Sequence, residues 1–312
     1  MNRRQFVKTA AAAAATGWFS SGTWSPAADA FPAAQPDHAP ATPAIPDFRY
    51  KIAACDWMML KRQKPGAFPL AREIGVDGVE VDMGGLGDRP TFDNHLADPK
   101  IRRQFLDTAR QLGLEICSLA MSGFYAQSFA ERPTVPRMVQ DCIETMTAMN
   151  VKVAFLPLGV PCDLFKRPEL RPAVVARLKT IAPKAEAAGI VIGIETALDA
   201  AGEVKLLEDV GSPAIGSYFN FANAVENGRD LIHELRTLGR DRICQIHCTD
   251  RDGVWLQDDS RIDMPQVKRT LDAMGWRGWL VIERSRSAKD PRNVKLNFGA
   301  NAAYLKSIFQ AK

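Results

Sequence analysis

The sequence predicts a closed (β/α)8 barrel of parallel strands, and three observations carry that prediction. Short apolar runs of β type alternate with amphipathic helical segments from residue 48 onward, the pattern of a parallel sheet whose strands are joined by helices. Four of the runs end on a polar residue: IGIET, SYFNFAN, QIHCTD and LVIERS place Glu195, Asn220, His247 and Glu283 at strand ends. Inward polar side chains at the C-terminal ends of several strands are how the active face of such a barrel is built. Finally, no glycine-rich phosphate loop opens a helix after the first strand, which argues against an open doubly wound sheet. A chain of 312 residues accommodates one such barrel of about 250 residues.

The elements follow in order. Asn2 to Lys8 reads NRRQFVK, with the paired arginines, the following Phe6 and the Lys8 of a twin-arginine signal. A weakly hydrophobic alanine-rich run, Thr9 to Phe19, and the small-x-small triplet Ala28-Asp29-Ala30 complete a signal peptide over 1–30. The run is too short to span about 30 Å of hydrocarbon, and no second one follows, so no membrane span is expected. This segment implies the twin-arginine export machinery as a partner and a periplasmic or otherwise exported location. Residues 31–47 form an Ala/Pro-rich linker without periodicity. The catalytic domain is expected over 48–312. Its strands are read at Lys51–Cys55, Gly78–Met83, Glu115–Ala120, Lys152–Pro157, Val191–Thr196, Ile215–Phe219, Ile243–Cys248 and Trp279–Ile282, each a short run rich in apolar residues. Helices are expected at Pro99–Leu112, Val135–Met149, Pro172–Ala188, Arg229–Leu238, Met264–Met274 and Val294–Phe309. Gly113, Gly189, Gly239 and Gly275 stand just past helical segments, where a left-handed cap favours glycine.

Composition is that of a globular enzyme, with 46% hydrophobic and 24% charged residues. The formal charge is +4, but Arg3, Arg4 and Lys8, set against Asp29, lie in the first 30 residues, so the remainder carries +2. With no basic stripe, nucleic acid is excluded as a partner. Six cysteines (Cys55, Cys117, Cys142, Cys162, Cys244, Cys248) are scattered, four of them in apolar strand-like runs, and read as buried small hydrophobes. Alternation points Cys244 and Cys248 away from the barrel side that carries His247.

Alternation also tests the site. Glu195 shares its strand face with Gly193 and Val191, while Ile192 and Ile194 face the helices. His247 shares a face with Gln245, and Glu283 with Val281. An isolated carboxylate buried in apolar surroundings is costly, so these groups need partners. Two carboxylates, an imidazole and an amide oxygen suit a divalent cation, Mn²⁺, Mg²⁺ or Co²⁺, with Zn²⁺ also admissible. Only four histidines are present, and His38, His95 and His233 are read in linker, loop and solvent-facing helix, which leaves His247 as the metal candidate.

These motifs resemble the sugar phosphate isomerase/epimerase family, the xylose-isomerase-like barrels that include ketose 3-epimerases and inosose dehydratases. The likeness runs from Phe48 to the C-terminus and is strongest at Asp98–Ser118, Ser217–Asp250 and Ile262–Glu283. It implies metal ligands at Glu195, Asn220, His247 and Glu283, and a substrate-lining Glu80. It places Asn223 where many members carry Asn or His beside the metal. Gln245 and Arg284 complete the expected substrate contacts. The chain departs from the family at Asn220, where members usually carry Asp within a Tyr-x-Asp-x-x-Asn pattern; here the run is YFNFAN (Tyr218 to Asn223). An amide brings no charge, which lowers the net ligand charge from −3 to −2. Gln257-Asp258-Asp259-Ser260 also replaces a glycine-rich loop usual in the family.

The resemblance implies proton abstraction next to a carbonyl through a metal-stabilised enediolate, with Glu195 and Glu283 as base and acid on opposite faces of the sugar. Export and the absence of a phosphate cradle favour a free sugar, keto-sugar or glycoside as substrate. The same chemistry on a 3-keto-glycoside would make a β-eliminating lyase, and Asn220 admits a catalytically weak sugar-binding relative. Homo-oligomers are compatible with the sequence. Phosphodiesterases of the same superfamily use several zinc ions and many histidines, which this chain lacks.

Overall fold

The computed structural model describes residues 47–311. The expected signal peptide and all of the linker but Asp47 lie outside the described residues. Eight parallel strands close on themselves in sequence order: β1 (Tyr50–Cys55), β2 (Gly78–Asp82), β3 (Glu115–Ala120), β4 (Val153–Pro157), β5 (Val191–Glu195), β6 (Ile215–Asn220), β7 (Ile243–His247) and β8 (Gly278–Ile282). Closure is made by β8 pairing with β1 from Tyr50↔Gly278 to Ala54↔Ile282. The predicted (β/α)8 barrel is the fold.

Nine α-helices lie among the described residues: α1 (Ala67–Ile74), α2 (Pro99–Gln111), α3 (Val135–Met149), α4 (Arg171–Ala188), α5 (Ala200–Val210), α6 (Phe221–Glu226), α7 (Leu231–Leu238), α8 (Met264–Met274) and α9 (Val294–Phe309). The expected bounds of α3, α8 and α9 are the observed ones. Helix starts are fixed by acidic caps: Asp98 accepts from Lys100 N, Asp199 from Gly202 N and Asp263 from Gln266 N. Gly189 and Gly275 adopt the left-handed cap expected of them, whereas Gly239 has φ 73° with ψ 160° and leads straight toward β7. α1, α5 and α6 lie outside the expected helices; α6, with six residues, is too short to show a helical period.

The core has two layers. Outside the strands, residues such as Ile192, Ile194, Leu280 and Ile282 pack against the helices. Inside the barrel, Ala53, Cys55, Cys117, Phe155, Tyr218 and Val281 fill the lumen below the site. Gly193 makes room there: a Cβ would stand 2.6 Å from Cys244 Sγ and 2.9 Å from Tyr218 Cβ. Cys244 corrects one expectation. Ser217 pairs with Ile243 but Tyr218 with Gln245, so Cys244 is the extra residue of a β-bulge. The bulge breaks alternation and lays its thiol against the inner layer, while Cys248 faces outward into the outer core as expected.

Candidate active site

The four strand-end residues converge. Glu195 is the last residue of β5, Asn220 of β6 and His247 of β7, and Glu283 follows β8 directly. Register brings Asn220 opposite His247, and His247 opposite Val281 one layer below Glu283. All four are buried at the barrel mouth. His247 Nδ1 lies 3.1 Å from Glu195 Oε2 and 3.8 Å from Glu283 Oε2. Asn220 Nδ2 donates to Glu195 Oε2 at 2.9 Å and to Glu283 Oε2 at 3.3 Å. Its Oδ1 accepts from Ala222 N at 2.9 Å, capping α6.

A residue absent from the sequence reading completes this cluster. Tyr125, at the end of a 3₁₀ turn (Ser122–Tyr125) after β3, donates its hydroxyl to Glu283 Oε1 at 2.9 Å and sits 3.1 Å from Glu195 Oε1. The two glutamates are thus bridged by one hydroxyl and one amide. Burial raises the Glu283 pKa, partly countered by His247, and burial with the two carboxylates raises that of Tyr125, which stays a phenol.

The other ring nitrogen of His247 faces across the lumen to β2. Nε2 lies 3.0 Å from Glu80 Oε1, and Glu80 Oε2 accepts from Ser118 Oγ and Tyr218 Oη, each at 2.6 Å. Gln245 Nε2 in turn donates to Ser118 Oγ at 2.9 Å and Tyr218 Oη at 2.7 Å. Glu80 and Gln245 are therefore sealed beneath the site, with no exposed surface. Of the two, only Glu80 touches His247. Cys55 Sγ stands 3.7 Å from His247 Nε2 and 3.4 Å from Glu80 Oε1. Cys55, Glu80 and His247 thus form a second group whose potential ligand atoms lie within 4.8 Å of one another. Burial, reinforced by Glu80, raises the Cys55 pKa and keeps it a thiol. Burial pulls the His247 pKa down, but Glu283, Glu80 and Glu195 overcome it and hold the imidazole at about 10.

Above the carboxylates opens a cleft of about 340 Å³ lined by Tyr125, Val160, Phe165, Glu195, Asn223 and Arg284, among others. Asn223 is fixed by donating to Thr196 O at 3.1 Å. Arg284 lies over the site with Nε 3.8 Å from Glu283 Oε2, its side chain 40% exposed. Arg286 is turned away into an ion pair with Asp252.

Residues 68–308 match the family of xylose isomerase-like TIM barrels. The chain belongs to that family. A 2-epi-5-epi-valiolone 7-phosphate 2-epimerase of Actinoplanes sp. is 29% identical over 213 residues, covering 64% of this chain and 72% of that protein. Among solved structures, the 3-keto-D-glucoside 4-epimerase of E. coli superposes with a TM-score of 0.64 at 16% identity, covering 83% of this chain and 99% of that one. The D-allulose 3-epimerase of Methylomonas sp., in complex with D-allulose, gives a TM-score of 0.62 at 15% identity over 86% and 100%. At such identities these two structures show the shared fold.

The Nδ1 side of His247 sets two carboxylates beside an imidazole, donors that suit a divalent cation once Nδ1 gives up its proton. Nε2–H is committed to Glu80, whose second oxygen is already held by two hydroxyls, which fixes the ring and turns Nδ1 toward Glu195 and Glu283. A carboxylate that orients a metal-binding imidazole from behind in this way is a common support of such centres. No helix among the described residues is long and apolar enough to cross a membrane.

Proposed function

We propose that this protein is a divalent-metal-dependent sugar isomerase/epimerase that moves a proton at the carbon beside a carbonyl. The observation that carries the reading is the pair Glu195 and Glu283, buried, facing one another across a single hydroxyl and amide, beside an imidazole fixed by Glu80. Glu195 and Glu283 serve as base and acid: one takes the proton from the carbon while the other returns it, and burial raises the basicity of Glu283 toward what such a task needs. A bound cation would supply positive charge for the oxyanion that develops when the proton leaves. Glu195, His247 and Glu283 would hold it. Arg284 and Asn223, on the cleft wall, orient the hydroxyls of the substrate. The epimerase relatives support a sugar substrate, and twin arginines Arg3 and Arg4 support export and a periplasmic location.

A second product class is favoured by the cleft. It continues past the carboxylates along Val160 and Phe165, which are 79% and 61% exposed. That apolar wall suits the aglycone of a glycoside, so a 3-keto-glycoside would be cleaved by β-elimination after the same proton abstraction. Incubation with ketoses and 3-keto-glucosides in D₂O with added Mn²⁺, followed by NMR, decides the matter. An epimer carrying deuterium at the carbon beside the carbonyl is the expected product of an isomerase, and free aglycone with an unsaturated keto-sugar that has no hydrogen at that carbon is the product of a lyase. Absence of both exchange and aglycone release across the panel, with cation bound, would remove the proposal.

A further inference from the structure

Asn220 departs from the carboxylate expected at its position, and its amide is engaged at both ends. Ala222 N can only donate, and Asn220 Oδ1 accepts from it at 2.9 Å in the first turn of α6. Glu195 and Glu283 can accept, and Nδ2 donates to them at 2.9 and 3.3 Å. Turning the amide over would set its oxygen against two carboxylates and its NH₂ against a buried N–H, breaking three contacts at once. The orientation that coordination requires is thus the one its neighbours oppose.

We infer that Asn220 is a hydrogen-bond clamp between the two catalytic carboxylates rather than a metal ligand. The inference rests on the cation reading above. The cation is then held by three protein groups, Glu195, His247 and Glu283, two of them charged, and the remaining positions are left to substrate oxygens or water. Resting affinity is low, and the carboxylates stay close together when no cation is present. This is a weakly loading centre, in which cation and substrate are expected to bind together.

Mn²⁺ titration followed by electron paramagnetic resonance of the free ion tests it on the intact protein. Asn220→Asp keeps an acceptor for Ala222 N and adds a charge, so it should bind Mn²⁺ at least about tenfold more tightly than wild type. Asn220→Ala should bind Mn²⁺ as well as wild type, within about threefold, or more tightly, because it removes a competitor for the carboxylates and not a ligand. Since alanine also uncaps α6, Asn220→Ser, which preserves a cap, is measured in parallel with thermal melts of all variants. A tenfold loss in both folded variants would make Asn220 a ligand and overturn the inference alone, as would an Asn220→Asp protein no tighter than wild type. If neither wild type nor Asn220→Asp binds Mn²⁺, the cation reading falls and takes the inference with it.

Discussion

His247 divides the barrel mouth into two polar regions of opposite character. On its Nδ1 side, the ends of β5 and β6 present Glu195 and Asn220 to an open cleft, and Glu283, just after β8, is tied to that rim through Asn220 and Tyr125. On its Nε2 side, β1, β2 and β3 present Cys55, Glu80 and Ser118, all sealed from solvent. Carboxylates occur in both regions. On the open side their bridging partners, Tyr125 and Asn220, border a cavity into which a substrate can come; on the sealed side every Glu80 oxygen is engaged by protein. Access therefore separates the polar groups that border the cleft from the polar groups that hold His247 from behind. Glu80 and Gln245, which share the barrel interior with the site, have no surface open to the cleft.

The largest effect that can break this division is loss of an open-side carboxylate. Glu283→Gln should lower turnover by about 10²–10⁴-fold while sugar binding, followed by calorimetry, persists. Full activity in that variant would dissolve the two-carboxylate mechanism. Next comes the sealed side. Glu80→Gln puts an NH₂ group among three donors (His247 Nε2, Ser118 Oγ and Tyr218 Oη) and frees the imidazole to turn. Mn²⁺ affinity should fall about 10–100-fold, as for other supports of metal-binding histidines. An unchanged affinity with a normal melt would mean that His247 needs no support from behind.

Much of the open side was legible in the sequence because polar residues that end apolar strand runs have few structural uses. Period-two alternation then placed Glu195 with Gly193 and Glu283 with Val281, and the strand interiors follow it. The sealed side was less legible. Glu80 lies mid-strand, and nothing local distinguishes it from a surface residue; its meaning comes from β7, 167 residues away. Tyr125 sits on a 3₁₀ turn with no repeat to report its direction. The Cys244 bulge is a register slip between two strands, which neither strand's sequence encodes alone. The direction of the Asn220 amide is likewise set by three neighbours from separate elements.

A smaller effect comes from a carboxylate in neither region. Glu203, on α5 behind the β5 rim, is buried with Oε2 accepting from Thr196 Oγ1 at 2.8 Å and Oε1 without a hydrogen-bond partner. Burial lifts its pKa from 4.5 to about 7, opposed by Ser217 and Thr196. The folded state therefore holds this proton more tightly than the unfolded chain. The resulting penalty is absent below pH 4.5, grows as pH rises toward 7 and is complete above it, on the order of 3 kcal/mol at most. Urea unfolding of Glu203→Gln should lose that part of the decline in stability between pH 5 and pH 8. An identical pH profile in wild type and variant would show that Glu203 is ionised at no cost.

The smallest expected effect is the sharpest test of which side of His247 a cation would use. Cys55, Glu80 and His247 are close enough to serve as ligands, but this group is enclosed, its thiol is held protonated by burial, and its carboxylate is already engaged by two hydroxyls. A cation there would have to displace all of these. Cys55→Ala should therefore leave Mn²⁺ affinity within about threefold of wild type, and Co²⁺ added to the wild-type protein should give no thiolate charge-transfer band. A tenfold loss in Cys55→Ala, or such a band, would move the metal to the sealed side. Glu195 and Glu283 would then face the substrate without a shared cation, and proton transfer between them would rest on Tyr125, Asn220 and His247 alone.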